Sequence, residues 1–509
     1  MGHEQAQQQE EEPPKGKIDR LARFISSRTG ATYPLLRPAP EYSLNPFYWL
    51  GALSVVAFLI QGVSGIIMLL WYTPTSAAAY SSTQYIFKSV YMGQFLETIH
   101  LYTAYAMIML AFMHMMRGYF VSVHKKPREL MWITGMLMGF VTLGFGFTGY
   151  LLPYTVVSVS ASDVGVGMVN ALPPQLAGLV NFLITGGGST DAELLHFYFL
   201  HVVVLPAVLL GLLLVKMMML ETHGVAEPVT GSLTAKLKRT LPIFPDMTVY
   251  MLELAMIFGV GMLLVSALFP LQLQAQYSAT AAGAIAAQPD WYFLWLYQIL
   301  KISFFEHAGI PVALTFVSVV FIALILLPFI DRGDNRRLID RPKFVTLGAV
   351  FVAEMIILAA WGEITPGQII SNTAAVEVLG GTALVVALAV GGVYYALRAP
   401  GAPAPSGGLS SMPAHAAPAP VKVYQGKWTG AIMTALMSFG ALGMGLSIDS
   451  VAKLVEFGFS AEMLTRLTYS LCLLAAVIAL TLVMLRQVGS RVGAPQRSRT
   501  KVLSRLGLN

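Results

Sequence analysis

Ten apolar runs, each long enough to cross a bilayer, recur along this chain, and they restrict it to one kind of architecture. They fall at 47–72, 96–121, 130–152, 194–220, 246–270, 310–331, 343–362, 375–397, 428–447 and 466–487. Inside a bilayer every backbone N–H and C=O must find a partner within the protein, which leaves helices or closed barrels. The runs are continuously apolar rather than alternating, so the expected fold is all-α: a polytopic membrane bundle of about ten transmembrane helices. A content of 56% hydrophobic against 11% charged residues supports that over a soluble enzyme.

Charge sets the expected orientation. Basic residues gather in KGKIDR, HKKPRE, AKLKR, DRGDNRR and the tail from Arg486 to Arg505. With ten spans these all lie on one side, which the positive-inside rule makes cytoplasmic, together with both termini. The net charge of +6 is then a topology signal, with contacts to anionic lipid and no nucleic-acid partner. No cleavable signal peptide is expected in MGHEQAQQQEEEPPKGKIDR. A single cysteine, Cys472, excludes a disulfide, an iron–sulfur cluster or a thioether-linked heme built by this chain alone. The domain boundaries read as a polar extension (1–44), a four-helix core (45–225), a second group of helices (226–397), a Pro/Ala-rich cytoplasmic linker (398–424), two additional spans (425–487) and a basic tail (488–509). Between the last two spans, VAKLVEFGFSAEMLTR reads as an amphipathic helix on the outer interface. His415, in the linker, reads as a solvated side chain.

The core holds the candidate ligands. His100 and His114 lie fourteen positions apart on one span, and His201 and Lys216 fifteen apart on another. At about 100° and 1.5 Å per residue each pair falls near one helix face, roughly 21–22 Å from end to end. His100 and His201 lie toward the outer ends of their spans, His114 and Lys216 toward the inner ends. Side by side, the two helices offer two facing pairs at two depths, a holder for two hemes. A lone histidine in an apolar helix more often just satisfies a hydrogen bond; the depth-matched pairing is what shifts the balance. Gly51 and Gly65 on the first span, and Gly135 and Gly149 on the third, repeat the spacing of His100 and His114. Glycine is costly in a helix interior and marks close approach to the backbone, here by a porphyrin edge or by a neighbouring helix.

ETIHLYTAYAMIMLAFMHMMRGYF, KKPRELMWITG, FGFTGYLLPY, LHFYFLHVVVLP and PDWYFLW together resemble the cytochrome b of quinol-oxidising cytochrome bc and bf complexes. The resemblance runs from about Asn45 to about residue 365, and 375–397 fits a further helix of the bc type. It implies His100 and His201 as ligands of an outer heme, His114 as a ligand of an inner heme, Arg117 beside a propionate, and the four glycines as heme contacts. Pro289, Asp290, Trp291 and Tyr292 match the motif lining the outer quinol site, whose acid, here Asp290, takes a proton from quinol; an interfacial aromatic belt is the bland alternative. The implied catalytic residues are Asp290 and Tyr292. The implied function is quinol oxidation at the outer side of a prokaryotic cell membrane. One electron passes to a Rieske-type iron–sulfur partner and the other crosses the hemes to reduce quinone near the cytoplasm. Partners would include cytochrome or terminal oxidase subunits. Whether the hemes are b-type or a modified a-type is set by the porphyrin rather than by these residues.

The chain departs from that pattern in places. Lys216 stands where a fourth histidine belongs. Three readings follow: a neutral amine bound to the inner iron, which burial favours; a five-coordinate iron on His114; or loss of the inner heme, with Lys216 snorkelling to the surface. Coordination is preferred. His196 is about 140° around the helix from His201 and near the wrong surface, and His223 lies beyond the helix end. Glu97 replaces a basic residue expected near an outer propionate, Ser160 replaces an aromatic one, and Glu221 stands where a basic or imidazole group often serves the inner quinone site. Two other functions fit the same residues in part: a subunit of a quinol oxidase supercomplex, docked through the two extra spans, or a transporter or heme-free scaffold. A reduced-minus-oxidised heme band separates the last from the rest.

Overall fold

The computed structural model describes residues 38–186, 188–226, 240–282, 288–333 and 335–398. The N-terminal extension to residue 37, the Pro/Ala-rich linker, the last two expected spans with Cys472, and the basic tail lie outside the described residues. Within them the regular structure is helical apart from two three-residue strands, Pro38–Pro40 and Thr240–Pro242, paired antiparallel.

The first three long helices are α1 (Leu50–Met68), α3 (Gly93–Phe120) and α4 (Glu129–Leu151), with a short α2 (Ala79–Ser89) between α1 and α3. Two helices outside the main bundle, α5 (Val156–Asn170) and α6 (Pro174–Thr185), lead to the long span α7 (Thr190–His223). Then follow α8 (Thr248–Leu268), the short α9 (Leu294–Leu300), α10 (Ile310–Ile325), α11 (Pro342–Ile364) and α12 (Gly381–Arg398). Local sequence explains several starts. Thr155 and Ser158 form a reciprocal capping box at α5, the Ser189 hydroxyl accepts the Ala192 N–H at α7, and prolines occupy the first turns of α6, α10 and α11, where the missing N–H costs nothing.

Seven helices among the described residues are long and apolar enough to span a membrane. The expected span at 310–331 is shorter than its apolar run. It breaks at Leu326, ahead of Pro328, into the 16-residue α10 and a four-residue turn Leu327–Ile330. A proline two residues past the break removes an N–H donor and stops the helix. At about 1.5 Å per residue α10 reaches about 24 Å, short of the ~30 Å apolar core.

α1 packs on α3 and α4 on α7, with α3 against α4 and α8 closing one side. The core between α1, α3 and α8 is built from Leu50, Leu53, Ala57, Ala106, Leu110 and Phe258. Outward faces are equally apolar: Leu214, Met218, Leu347 and Val385 are each more than 60% exposed. In water such a surface would be costly. In lipid it is the surface required, and the chain is a multi-pass membrane protein.

One polar cluster is fully enclosed. The loop after α3 presents Ser122, His124 and Lys125 to Asp331 and Arg341, which precede α11. His124 Nε2 lies 3.0 Å from Asp331 Oδ2, and Lys125 Nζ 3.1 Å from Asp331 Oδ1. Arg341 reaches both Asp331 and Ser122. The basic loop HKKPRE is therefore more than a surface charge signal, since His124 and Lys125 are buried and tie the first half of the chain to the second.

Candidate functional site

Each expected ligand lies opposite one expected glycine. A methyl group added at Gly51 would meet His114 Cε1 at 3.1 Å, at Gly65 His100 Cε1 at 3.3 Å, at Gly135 Lys216 Nζ at 2.9 Å, and at Gly149 His201 Cε1 at 2.6 Å. The first and third spans thus give up their side chains where the second and fourth project theirs, so two cradles form at two depths.

In the outer cradle the His100 and His201 rings stand 6.3 Å apart, centroid to centroid, tilted by 58°. With metal–imidazole bonds of about 2 Å, that is the separation of two imidazoles sharing one metal ion. Each ring is oriented from behind. His100 Nδ1 is 2.8 Å from the Ser64 hydroxyl, and His201 Nδ1 is 3.1 Å from the Thr148 hydroxyl. A hydrogen bond at one ring nitrogen fixes the tautomer and turns the other toward a metal. Ser64 and Thr148 carry no sequence signal beyond their place, each immediately before one of the expected glycines. Gln61 adds a hydrogen bond from its amide to the His100 carbonyl.

The inner cradle holds His114 and Lys216. His114 Nδ1 is buried with no hydrogen-bond partner among the described residues. No described acid forms an ion pair with Lys216. Arg117 stacks over the Tyr48 ring at 4.0 Å, at the mouth of this cradle. Both cradles therefore suit a flat porphyrin held from two sides: the donors face inward, and the backbone opposite each is bare.

The spacing difference between the ligand pairs has a structural cause. α7 contains a π-helical turn at Leu200–Val204, which includes His201 and precedes Pro206. An i→i+5 turn takes up one extra residue, so the interval from His201 to Lys216 on α7 matches the interval from His100 to His114 on α3, which is one position shorter in sequence. The sequence hint was Pro206, whose ring cannot sit against an unrelieved α-helical turn. His196 is directed elsewhere, with its Nδ1 3.1 Å from the Leu183 carbonyl. The His223 carbonyl accepts from Arg128 at the helix end.

The Pro289–Tyr292 loop packs between the two halves. Asp290 Oδ1 accepts the Trp291 N–H at 2.9 Å, and Asp290 Oδ2 accepts the Tyr105 hydroxyl of α3 at 2.6 Å. The Tyr292 ring fills a notch at Gly146, where an added methyl would sit 2.8 Å from it. Burial, reinforced by Asp290 and Tyr150, pushes the Tyr292 phenol well above its usual value, so it stays a neutral donor. Glu97 lies one turn before His100 on α3, Ser160 is buried on α5, and Glu221 is at the exposed end of α7.

Known proteins place the chain in a family. The family model described as cytochrome b(N-terminal)/b6/petB matches residues 105–279, and that described as cytochrome b(C-terminal)/b6/petD matches 280–379. A cytochrome bc complex cytochrome b subunit of Chlorobaculum thiosulfatiphilum is 30% identical over 347 residues, covering 67% of this chain and 80% of that one. Cytochrome b of Sulfolobus acidocaldarius is 31% identical over 411 residues, 75% of this chain and 71% of the relative. Cytochrome b6 of Heliobacterium mobile is 41% identical over 192 residues, 38% of this chain and 90% of its own length. Among solved structures, a chain of a hyperthermophilic respiratory Complex III shares the fold, with a TM-score of 0.58 at 23% identity, covering 74% of this chain and 97% of that one. With two relatives matched over two thirds or more of both chains, and with both halves of the family recognised in order, this chain belongs to the cytochrome b family.

Proposed function

We propose that the chain is the di-heme subunit of a quinol-oxidising, bc-type respiratory complex, and that Lys216 would be the fourth residue to hold a heme iron, with His100, His114 and His201. The observation that carries this reading is the one-to-one facing of His114, His100, Lys216 and His201 with Gly51, Gly65, Gly135 and Gly149. His100 and His201 would hold the outer group, with Ser64 and Thr148 fixing their tautomers. His114 and Lys216 would hold the inner one, with Arg117 beside a propionate. When bound, the hemes supply one-electron carriers at two depths and so a conducting path across the membrane. An ammonium on an apolar span with no described acid paired to it is expensive; a neutral amine with its lone pair on iron is not, and that favours coordination over a free lysine.

At the outer side, Asp290 is the group that accepts a proton from quinol, and Tyr292, kept neutral, is a donor for a quinone oxygen. Tyr292 is buried against α4, while Asp290 stays half-buried beside α3, within reach of a proton exit. The partners of this reading are a Rieske-type iron–sulfur protein and a cytochrome or oxidase. Both termini would be cytoplasmic, and protons would leave on the opposite side.

The test is a redox titration with heme quantitation and low-temperature electron paramagnetic resonance on wild type and Lys216→Ala. Two hemes per chain are expected, with the mutation altering the signal and potential of one of them only. One heme per chain, unchanged by the mutation, would overturn the inner site.

A further inference from the structure

Among the described residues, Tyr105 is the side chain of the ligand-bearing helix α3 that reaches the Pro289–Tyr292 loop through a hydrogen bond to the candidate catalytic acid. It lies five residues beyond His100 and nine before His114, between the two cradles. Its hydroxyl donates to Asp290 Oδ2 at 2.6 Å, in the range of a hydrogen bond to a charged oxygen. Its ring is fixed independently of that bond: it stands edge-on to Trp291 with centroids 6.0 Å apart and 6.3 Å from Tyr292. The other carboxylate oxygen is held by the Trp291 N–H, so both oxygens of Asp290 have donors and the carboxylate is turned toward α3. Among the described residues, titratable groups near the loop include Tyr292 itself, Tyr150 of α4, which acts on Tyr292, and Glu363 of α11, bound by the Gln288 amide at 2.9 Å.

Building on the quinol site proposed above, we propose that Tyr105 is a positioning residue for it: the hydroxyl stabilises the negative charge of Asp290 and keeps the carboxylate in the orientation that receives the quinol proton. A donor to the ionised form favours that form. Without it, Asp290 protonates at higher pH and the base is lost from the acid side of the profile. Tyr105→Phe removes the hydroxyl and retains the ring packing on Trp291 and Tyr292.

The experiment is the pH dependence of kcat/KM for oxidation of a short-chain quinol by membranes carrying the assembled complex, for wild type, Tyr105→Phe and Asp290→Asn. Heme spectra of each variant serve as the folding control. For Tyr105→Phe the acid limb should move upward by about one pH unit, with the rate at the alkaline plateau within about twofold of wild type and both heme signals unchanged. Superimposable profiles, or a uniform loss at every pH with no shift of the limb, would reduce Tyr105 to a packing residue and overturn the inference. Asp290→Asn separates the two levels. If it leaves quinol oxidation intact, the parent reading fails. If it abolishes oxidation while Tyr105→Phe leaves the profile unmoved, only the role of Tyr105 fails.

Discussion

A single methyl group separates the glycines that face a ligand from those that do not. Gly149→Ala would bring Cβ to within 2.6 Å of the His201 ring, whereas at Gly139 nothing lies within 4 Å. Gly149→Ala is therefore expected to lower heme content by about one per chain and to remove the outer signal. Gly139→Ala should leave the content unchanged and, through its helix propensity, stabilise the span slightly, by about 0.5–1 kcal/mol. Pyridine hemochrome quantitation on the two variants checks this; equal heme content in both would contradict the cradle. The spacing of these glycines was visible in sequence because a helix converts residue count into depth and direction. The facing partner of each was visible only because histidine and lysine are rare in apolar spans. Tyr105 was not visible: its partner is 185 residues away, and a tyrosine on a membrane helix carries no local signal for that contact.

At the level of the helix, α7 shows where counting alone falls short. On a regular helix the one extra position between His201 and Lys216 would turn Lys216 by about 100° away from the direction that matches His114; the π-helical turn at Leu200–Val204 takes up that difference. A chain lacking Val203 should revert to a regular helix, with the ligand positions on α7 spaced as they are on α3, and retain both hemes. Loss of the inner heme in that variant, read from the reduced spectrum, would show that the wide turn does more than absorb one residue. Runs of hydrophobic residues located the helices well, because lipid imposes a length. They overestimated the span at 310–331, because Pro328 sits inside an apolar run that hydropathy cannot divide. They also could not show that α5 and α6 lie between α4 and α7.

For the molecule as a whole, the two halves are stapled by the enclosed cluster of His124, Lys125, Asp331 and Arg341. Burial lowers the His124 imidazole to about 4, against the opposing effect of its hydrogen bond to the Asp331 carboxylate. Burial alone would raise the Asp331 carboxyl, but hydrogen bonds from His124 and Lys125 and the charge of Arg341 hold it below its ordinary value. Both shifts have the same sign for stability. Between the free imidazole value of about 6.5 and about 4, the unfolded chain binds a proton at His124 that the folded chain refuses, so stability falls as pH falls through that window. The Asp331 contribution is lost at still lower pH. His124→Gln should flatten the dependence of thermal midpoint between about pH 4 and 6.5 in detergent, as a melt series would report; an unchanged slope would locate the proton elsewhere. The basic loop was legible as a charge cluster, but not its burial, because the paired acid lies 207 residues along the chain.

α3 bears His100, Tyr105, His114 and Arg117 on one unbroken helix from Gly93 to Phe120, and a helix does not stretch. It is a ruler. Insert one residue between the two histidines and, unless a wide turn like the one in α7 takes it up, everything beyond turns by about 100° and climbs by about 1.5 Å. With hemes in both cradles as proposed, the distance over which an electron would tunnel is set by a residue count, and what would remain adjustable along it is voltage.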